Sequence, residues 1–87
     1  MKTFETLYSE IESKTSADPT ESNTAKLLAD GVHAIGKKVV EEAAEVWMAA
    51  EFQSKDDLAL EISQLIYHLQ VLMVAKGVSI EDIQAKF

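Results

Sequence analysis

Two long stretches almost free of helix-breaking residues, joined by a few polar ones, leave this chain little choice of architecture. From Val32 to Phe52 there is no proline and no glycine beyond Gly36, and Val32, Ile35, Val39, Ala43, Val46 and Ala50 recur as one apolar stripe of a helix. The second stretch runs to about Lys76, with Leu58, Ile62, Leu65, Ile66, Leu69, Leu72 and Met73 as its stripe. The segment "QSKDD" between them permits only a tight reversal, which predicts an antiparallel helical hairpin. Ser54 and Asp57 offer a capping box at the start of the second helix, and Gly77 a natural stop at its end.

The flanks read as short helices. Phe4, Leu7, Tyr8 and Ile11 have the i, i+3, i+4, i+7 spacing of an amphipathic helix, with Thr3 as its cap. Ser13 to Thr24 gathers Ser, Thr, Asp, Asn and the only proline, the composition of a loop. Thr24 is the expected N-cap of a short helix through "AKLLAD", and Gly31 permits the change of direction after it. Ser79 and Asp82 start a last short helix. No strand-like alternation or internal repeat occurs. The predicted fold is all-α, a long antiparallel hairpin with short flanking helices, in one domain over residues 1–87.

An 87-residue domain buries only about 60 to 65% of its unfolded surface. Such chains are stabilised by disulfides, a metal or oligomerisation, and the absence of cysteine excludes the first. Trp47 and Val40 lie to one side of the first stripe, and Tyr67, Val71 and Val74 widen the second. One hairpin cannot cover all of this, so a homodimer is expected in which two hairpins pair into a multi-helix bundle. Trp47, Met48 and Tyr67 read as bundle core in preference to a platform for adenine.

Eight lysines, no arginine and fifteen acidic residues give a formal charge of −7, which opposes a sequence-independent grip on DNA or RNA. A small anion can still be held if a divalent cation mediates the contact. No apolar run approaches the roughly 20 residues of a membrane span, and the first residues lack the basic-then-apolar order of a signal peptide. A cytoplasmic protein is expected.

Within the first long helix, Glu41, Glu42 and Glu45 fall within roughly a quarter-turn of the circumference at about 100° per residue. One reading is a solvated face, with Lys37 and Lys38 pairing four residues ahead to Glu41 and Glu42. That order of charges is the poorer one, worth a few tenths of a kcal/mol per pair. The other reading comes from the second helix, where Glu61 is the only acidic residue between Asp57 and Glu81. It has Gln64 and His68 on the same side, and the hairpin brings it opposite Glu42 and Glu45. Carboxylates so crowded raise one another's pKa or take up a hard cation, and Mg²⁺ suits a few carboxylates and phosphate oxygens best.

The segment "EEAAE" followed after fifteen residues by "EISQ" resembles the EExxE…ExxD signature of the all-α nucleotide pyrophosphohydrolases, the superfamily that includes MazG. Within it, "SNTAKLL", "GKKVVEEAAEV" and "EISQLIYHLQVLM" look like the phosphoribosyl-ATP pyrophosphatases of histidine biosynthesis in their stand-alone form. The resemblance implies Mg²⁺-dependent hydrolysis of phosphoribosyl-ATP to phosphoribosyl-AMP and pyrophosphate by a homodimer. It carries the metal-binding and catalytic carboxylates onto Glu41, Glu42, Glu45 and Glu61. The last signature position, usually aspartate, is Gln64, whose neutral amide is a weaker Mg²⁺ ligand and is suited to bonding a metal-bound water. Lys37, Lys38 and the Ser22 to Thr24 segment are implied in phosphate binding, while Lys26 is equally compatible with a surface role. His68 is either a buried or half-buried hydrogen-bonding residue or one that supports a glutamate or contacts substrate, and His33 is a surface residue. The rival readings are a house-cleaning nucleoside triphosphate pyrophosphohydrolase of the same superfamily and a non-catalytic dimerisation module.

Overall fold

Hydroxyl side chains open four of the five helices, because a Ser or Thr oxygen satisfies backbone N–H groups that a helix start leaves without partners. In a computed structural model that describes residues 1–87, the order is α1 (Phe4–Ser13), α2 (Asn23–Asp30), α3 (Val32–Phe52), α4 (Lys55–Lys76) and α5 (Ile80–Gln84), with no strand. Thr3 caps α1, and Thr6 completes the box by accepting from the Thr3 N–H at 2.8 Å. Ser79 and Asp82 do the same for α5. At α4 only half of the expected box forms. Ser54 Oγ accepts from the Asp57 N–H at 3.1 Å, and the Ser54 N–H is left to solvent in the exposed turn.

The cap of α2 is Ser22, two residues earlier than the predicted Thr24, and its Oγ accepts from the Ala25 N–H at 3.1 Å. Starting the helix there puts Thr24 inside the first turn, where its hydroxyl bonds the Tyr67 hydroxyl of α4. A tertiary contact therefore decides between two side chains that are equally able to cap. Gly31 ends α2 and begins α3 at φ 97°, a backbone region that side chains other than glycine's disfavour. Gly77, at φ 70°, closes α4, and the next N–H, from Val78, returns to the Met73 carbonyl at 2.8 Å.

Helices α3 and α4 are joined only by Gln53 and Ser54 and form the predicted hairpin, the most extensive packing in the molecule. Its seam is rotated from the stripes read in the sequence. On α3 the covered row is Ile35, Val39, Glu42, Val46 and Ala49, while Ala43 and Ala50 are exposed. On α4 it is Leu58, Glu61, Leu65, His68 and Leu72, while Ile62 and Leu69 are exposed. The apolar surface of each helix is wider than one helix contact, and α1 and α2 draw Gln70 and Val71 into a second packed flank of α4.

The fully buried centre is Ile11 of α1, Ile35 of α3 and Val71 of α4, with Leu7, Leu27, Leu28 and Tyr67 packed around it. The Gln70 amide donates to the Phe4 carbonyl at 3.2 Å and the Tyr8 hydroxyl to the Val78 carbonyl at 2.8 Å, fastening α1 across the hairpin. By length and composition alone α4 is apolar enough to cross a bilayer, contrary to the expectation that no segment is. In this fold it is the central helix, with His68, Gln70 and Val71 buried against its neighbours. Ile35→Ala should cost about 2–5 kcal/mol by chemical denaturation, since it leaves a cavity at a fully buried position of the core.

Candidate metal and nucleotide site

Glu42 and Glu61 occupy seam positions that apolar residues would otherwise take, and this is why they meet. Oxygens of Glu42, Glu45 and Glu61 all lie within 4.8 Å of one another. Glu42 and Glu61 are half-buried and Glu45 is exposed, so the group sits at the edge of the hairpin, open on one side. The Glu61 carboxyl is held above the usual carboxylate range, first by a hydrogen bond shared with Glu45, then by loss of solvent and the charges of Glu45, Glu42 and Asp57. Crowded carboxylates disfavour one another's charged forms, and a cation among them would remove that penalty. The donor set is all oxygen, with no thiolate or imidazole in it, which fits a hard divalent cation.

Of the other predicted ligands, Glu41 lies outside the three. It is exposed and pairs with Lys38 at 3.4 Å, three residues away. Neither expected i, i+4 pair forms; Lys38 turns back to the nearer carboxylate, and Lys37 is exposed with no ion pair. Gln64 lines a cleft beside the cluster, and its backbone carbonyl accepts the Nδ1–H of His68 at 2.7 Å. That carbonyl can only accept, so it fixes a proton on Nδ1, and in the neutral tautomer this selects, Nε2 is the acceptor. His68 is 7% exposed and stands edge-on to Tyr67, with ring centres 4.9 Å apart. The buried, hydrogen-bonded reading of His68 is the one seen, at a position that also borders the cleft.

The cleft, about 750 Å³, runs between α2 and the hairpin. Glu42, Lys38, Ser63, Gln64 and His68 line the hairpin side, Asn23, Lys26, Leu27 and Asp30 the α2 side, with Leu7 and Tyr67 between. A second cleft of about 710 Å³ adjoins it, lined by Pro19 to Asn23 with Lys26 and Asp30. Ser22 faces this outer cleft while capping α2, and Thr24 is turned to Tyr67. Asn23, Asp30 and Ser63 were not anticipated from the sequence. The spacing of Asn23, Lys26, Leu27 and Asp30 at i, i+3, i+4 and i+7 was the available signal, since it puts them on one face of α2.

An all-α hairpin with carboxylates in its seam, opening on a polar cleft, is the arrangement expected of a helical pyrophosphohydrolase. The family description "Phosphoribosyl-ATP pyrophosphohydrolase" matches residues 4–87, and the chain belongs to that family. Proteins named phosphoribosyl-ATP pyrophosphatase from Streptomyces avermitilis and Streptomyces coelicolor are each 62% identical to it over 85 residues, covering 97% of this chain and 94% of theirs.

A raised pKa means that the folded state favours protonated Glu61. Its contribution to the stability of the metal-free protein is full below the ordinary glutamate value and is lost as pH rises through the raised one. In EDTA, the melting temperature should therefore fall more steeply from acidic to neutral pH for the wild type than for Glu61→Gln. A divalent cation should reverse the wild-type loss at neutral pH, and parallel curves for the two proteins would contradict the shared-proton account.

Proposed function

We propose that the chain is a Mg²⁺-dependent phosphoribosyl-ATP pyrophosphatase, acting as one catalytic domain over residues 1–87 and releasing phosphoribosyl-AMP and pyrophosphate in the second step of histidine biosynthesis. The observation that carries this reading is the convergence of Glu42, Glu45 and Glu61 beside a cleft of nucleotide size, in a chain so similar to relatives of that name. Glu42, Glu45 and Glu61 would hold the cation, which when bound neutralises polyphosphate charge and lowers the pKa of a water.

The chain's own groups do the rest. Glu45, the exposed member of the three, accepts at its carboxylate the proton of the water attacking phosphorus in line, and Glu41 flanks it on the outer side. Lys38, at the wall of the cleft, and Lys37 next to it offset the charge of the departing pyrophosphate, since no arginine is available. Gln64 bonds water at the cluster in place of the family's aspartate. His68 offers Nε2 to a substrate hydroxyl. Ser22 and the first N–H groups of α2 face phosphate oxygen, and Thr24 acts through Tyr67 to hold α2 against the hairpin.

The same reading includes a homodimer. Only 7 of 87 residues are buried in the single chain, too few for a stable core at this size. Val40, Ala43, Trp47 and Ala50 share one exposed flank of α3, and Ile62, Ile66, Leu69 and Met73 share one flank of α4. Trp47, 70% exposed here, becomes bundle core only when a second hairpin covers it. Trp47→Glu should shift the protein to a monomer in analytical ultracentrifugation and lower its melting temperature. A dimer unaffected by it would move the interface elsewhere.

Pyrophosphate release from phosphoribosyl-ATP, ATP and dCTP, with and without Mg²⁺, tests the activity. Preference for phosphoribosyl-ATP with Mg²⁺ is expected, and Glu42→Gln or Glu45→Gln should lower kcat by about 10²- to 10⁴-fold. Inactivity on all three substrates would favour a dimerisation module, and preference for dCTP a house-cleaning triphosphatase.

A further inference from the structure

The outer cleft is the one feature that the proposed chemistry leaves almost unused. No aromatic or branched aliphatic side chain lines it, so a purine has nothing there to pack against. Lys26 is its only cation. The Lys26 Nζ lies 2.9 Å from Asp30 Oδ2, and both side chains are largely exposed, 62% and 43%. An exposed pair of this kind contributes little. The weakness of the pair leaves the ammonium available to a phosphate, which carries two charges where Asp30 has one.

Shared walls fix how the cavities are connected. The inner cleft has Glu42 in common with the carboxylate cluster, and Asn23, Lys26 and Asp30 in common with the outer cleft. Three zones thus lie in series. Carboxylates come first, then an inner cleft with Leu7, Leu27 and Tyr67 in its wall, then a polar outer cleft with one lysine. A phosphoribosyl adenine nucleotide has the same series: a polyphosphate at one end, a purine in the middle, and a sugar phosphate at the other.

We propose that the outer cleft takes the ribosyl phosphate and that Lys26 is the residue by which this protein tells a phosphoribosyl nucleotide from a plain one. Asp30, released from its partner, and Glu21 on the cleft wall accept hydrogen bonds from the ribose hydroxyls. This inference rests on the substrate assigned above and adds the residue that selects it.

Calorimetric titration with phosphoribosyl-AMP and with AMP, in the presence of Mg²⁺, tests it on the wild type, Lys26→Gln and Lys26→Arg. Wild type should prefer phosphoribosyl-AMP. Lys26→Gln should weaken that ligand by about 10- to 100-fold, the range of a charge-assisted hydrogen bond, and leave AMP unchanged, while Lys26→Arg keeps most of the preference. With phosphoribosyl-ATP, Lys26→Gln should raise KM by a similar factor with little change in kcat. Equal weakening of both ligands, no change in either, or a wild type without preference would overturn the role of Lys26. Failure of the substrate assignment reads differently: wild type would release no pyrophosphate from phosphoribosyl-ATP at all.

Discussion

Everything in this molecule depends on the seam between α3 and α4. It is an apolar zipper of Ile35, Val39, Val46 and Ala49 against Leu58, Leu65 and Leu72, interrupted by Glu42 and Glu61. The zipper holds two long helices at fixed register, and the register brings carboxylates from the two helices of the hairpin within 4.8 Å. Like charges so close work against the packing that brings them together. That opposition holds the Glu61 carboxyl above its usual range, and a hard cation would relieve it. Structure and chemistry are thus linked through one interface: the packing creates an electrostatic fault, and the fault is where the proposed site lies.

The short helices give that site its second wall. Alpha-helix α2 is only eight residues long and would not persist alone. It is fixed by Leu27 and Leu28 against the core, by the Thr24–Tyr67 bond, and by Gly31, whose backbone lets the chain turn directly into α3. The result is a polar face, Asn23, Lys26 and Asp30, opposite the glutamates. Between these two polar walls the cleft is lined by Leu7, Leu27 and Tyr67. The remaining apolar flank, with Trp47 at its centre, is the cost of a chain too short to enclose itself.

Much of this was legible in advance for identifiable reasons. The boundaries of α3 and α4 follow from runs without proline and from a two-residue turn, which are local constraints. The caps at Thr3 and Ser79 are equally local, and both form as read. The choice between Ser22 and Thr24 was not legible, because both hydroxyls satisfy the cap and only the distant Tyr67 separates them. The seam itself was misjudged by about one residue, because a stripe wide enough for several neighbours does not say which neighbour each residue meets. The observed rotation puts Glu42, Glu61 and His68, none of them in the stripes read from the sequence, into the covered row.

The sequence by itself determined that the chain is helical, where its two long helices begin and end, and that Glu42, Glu45 and Glu61 share one side of a hairpin, because periodicity and turn length act over a few residues. Tertiary structure alone decided that Glu41 turns away to Lys38, that Gln64 gives His68 its tautomer, and that Lys26 stands between two clefts. Those outcomes depend on rotamers and on helix rotation about its own axis. A helical pattern leaves that rotation free until other helices pack against it.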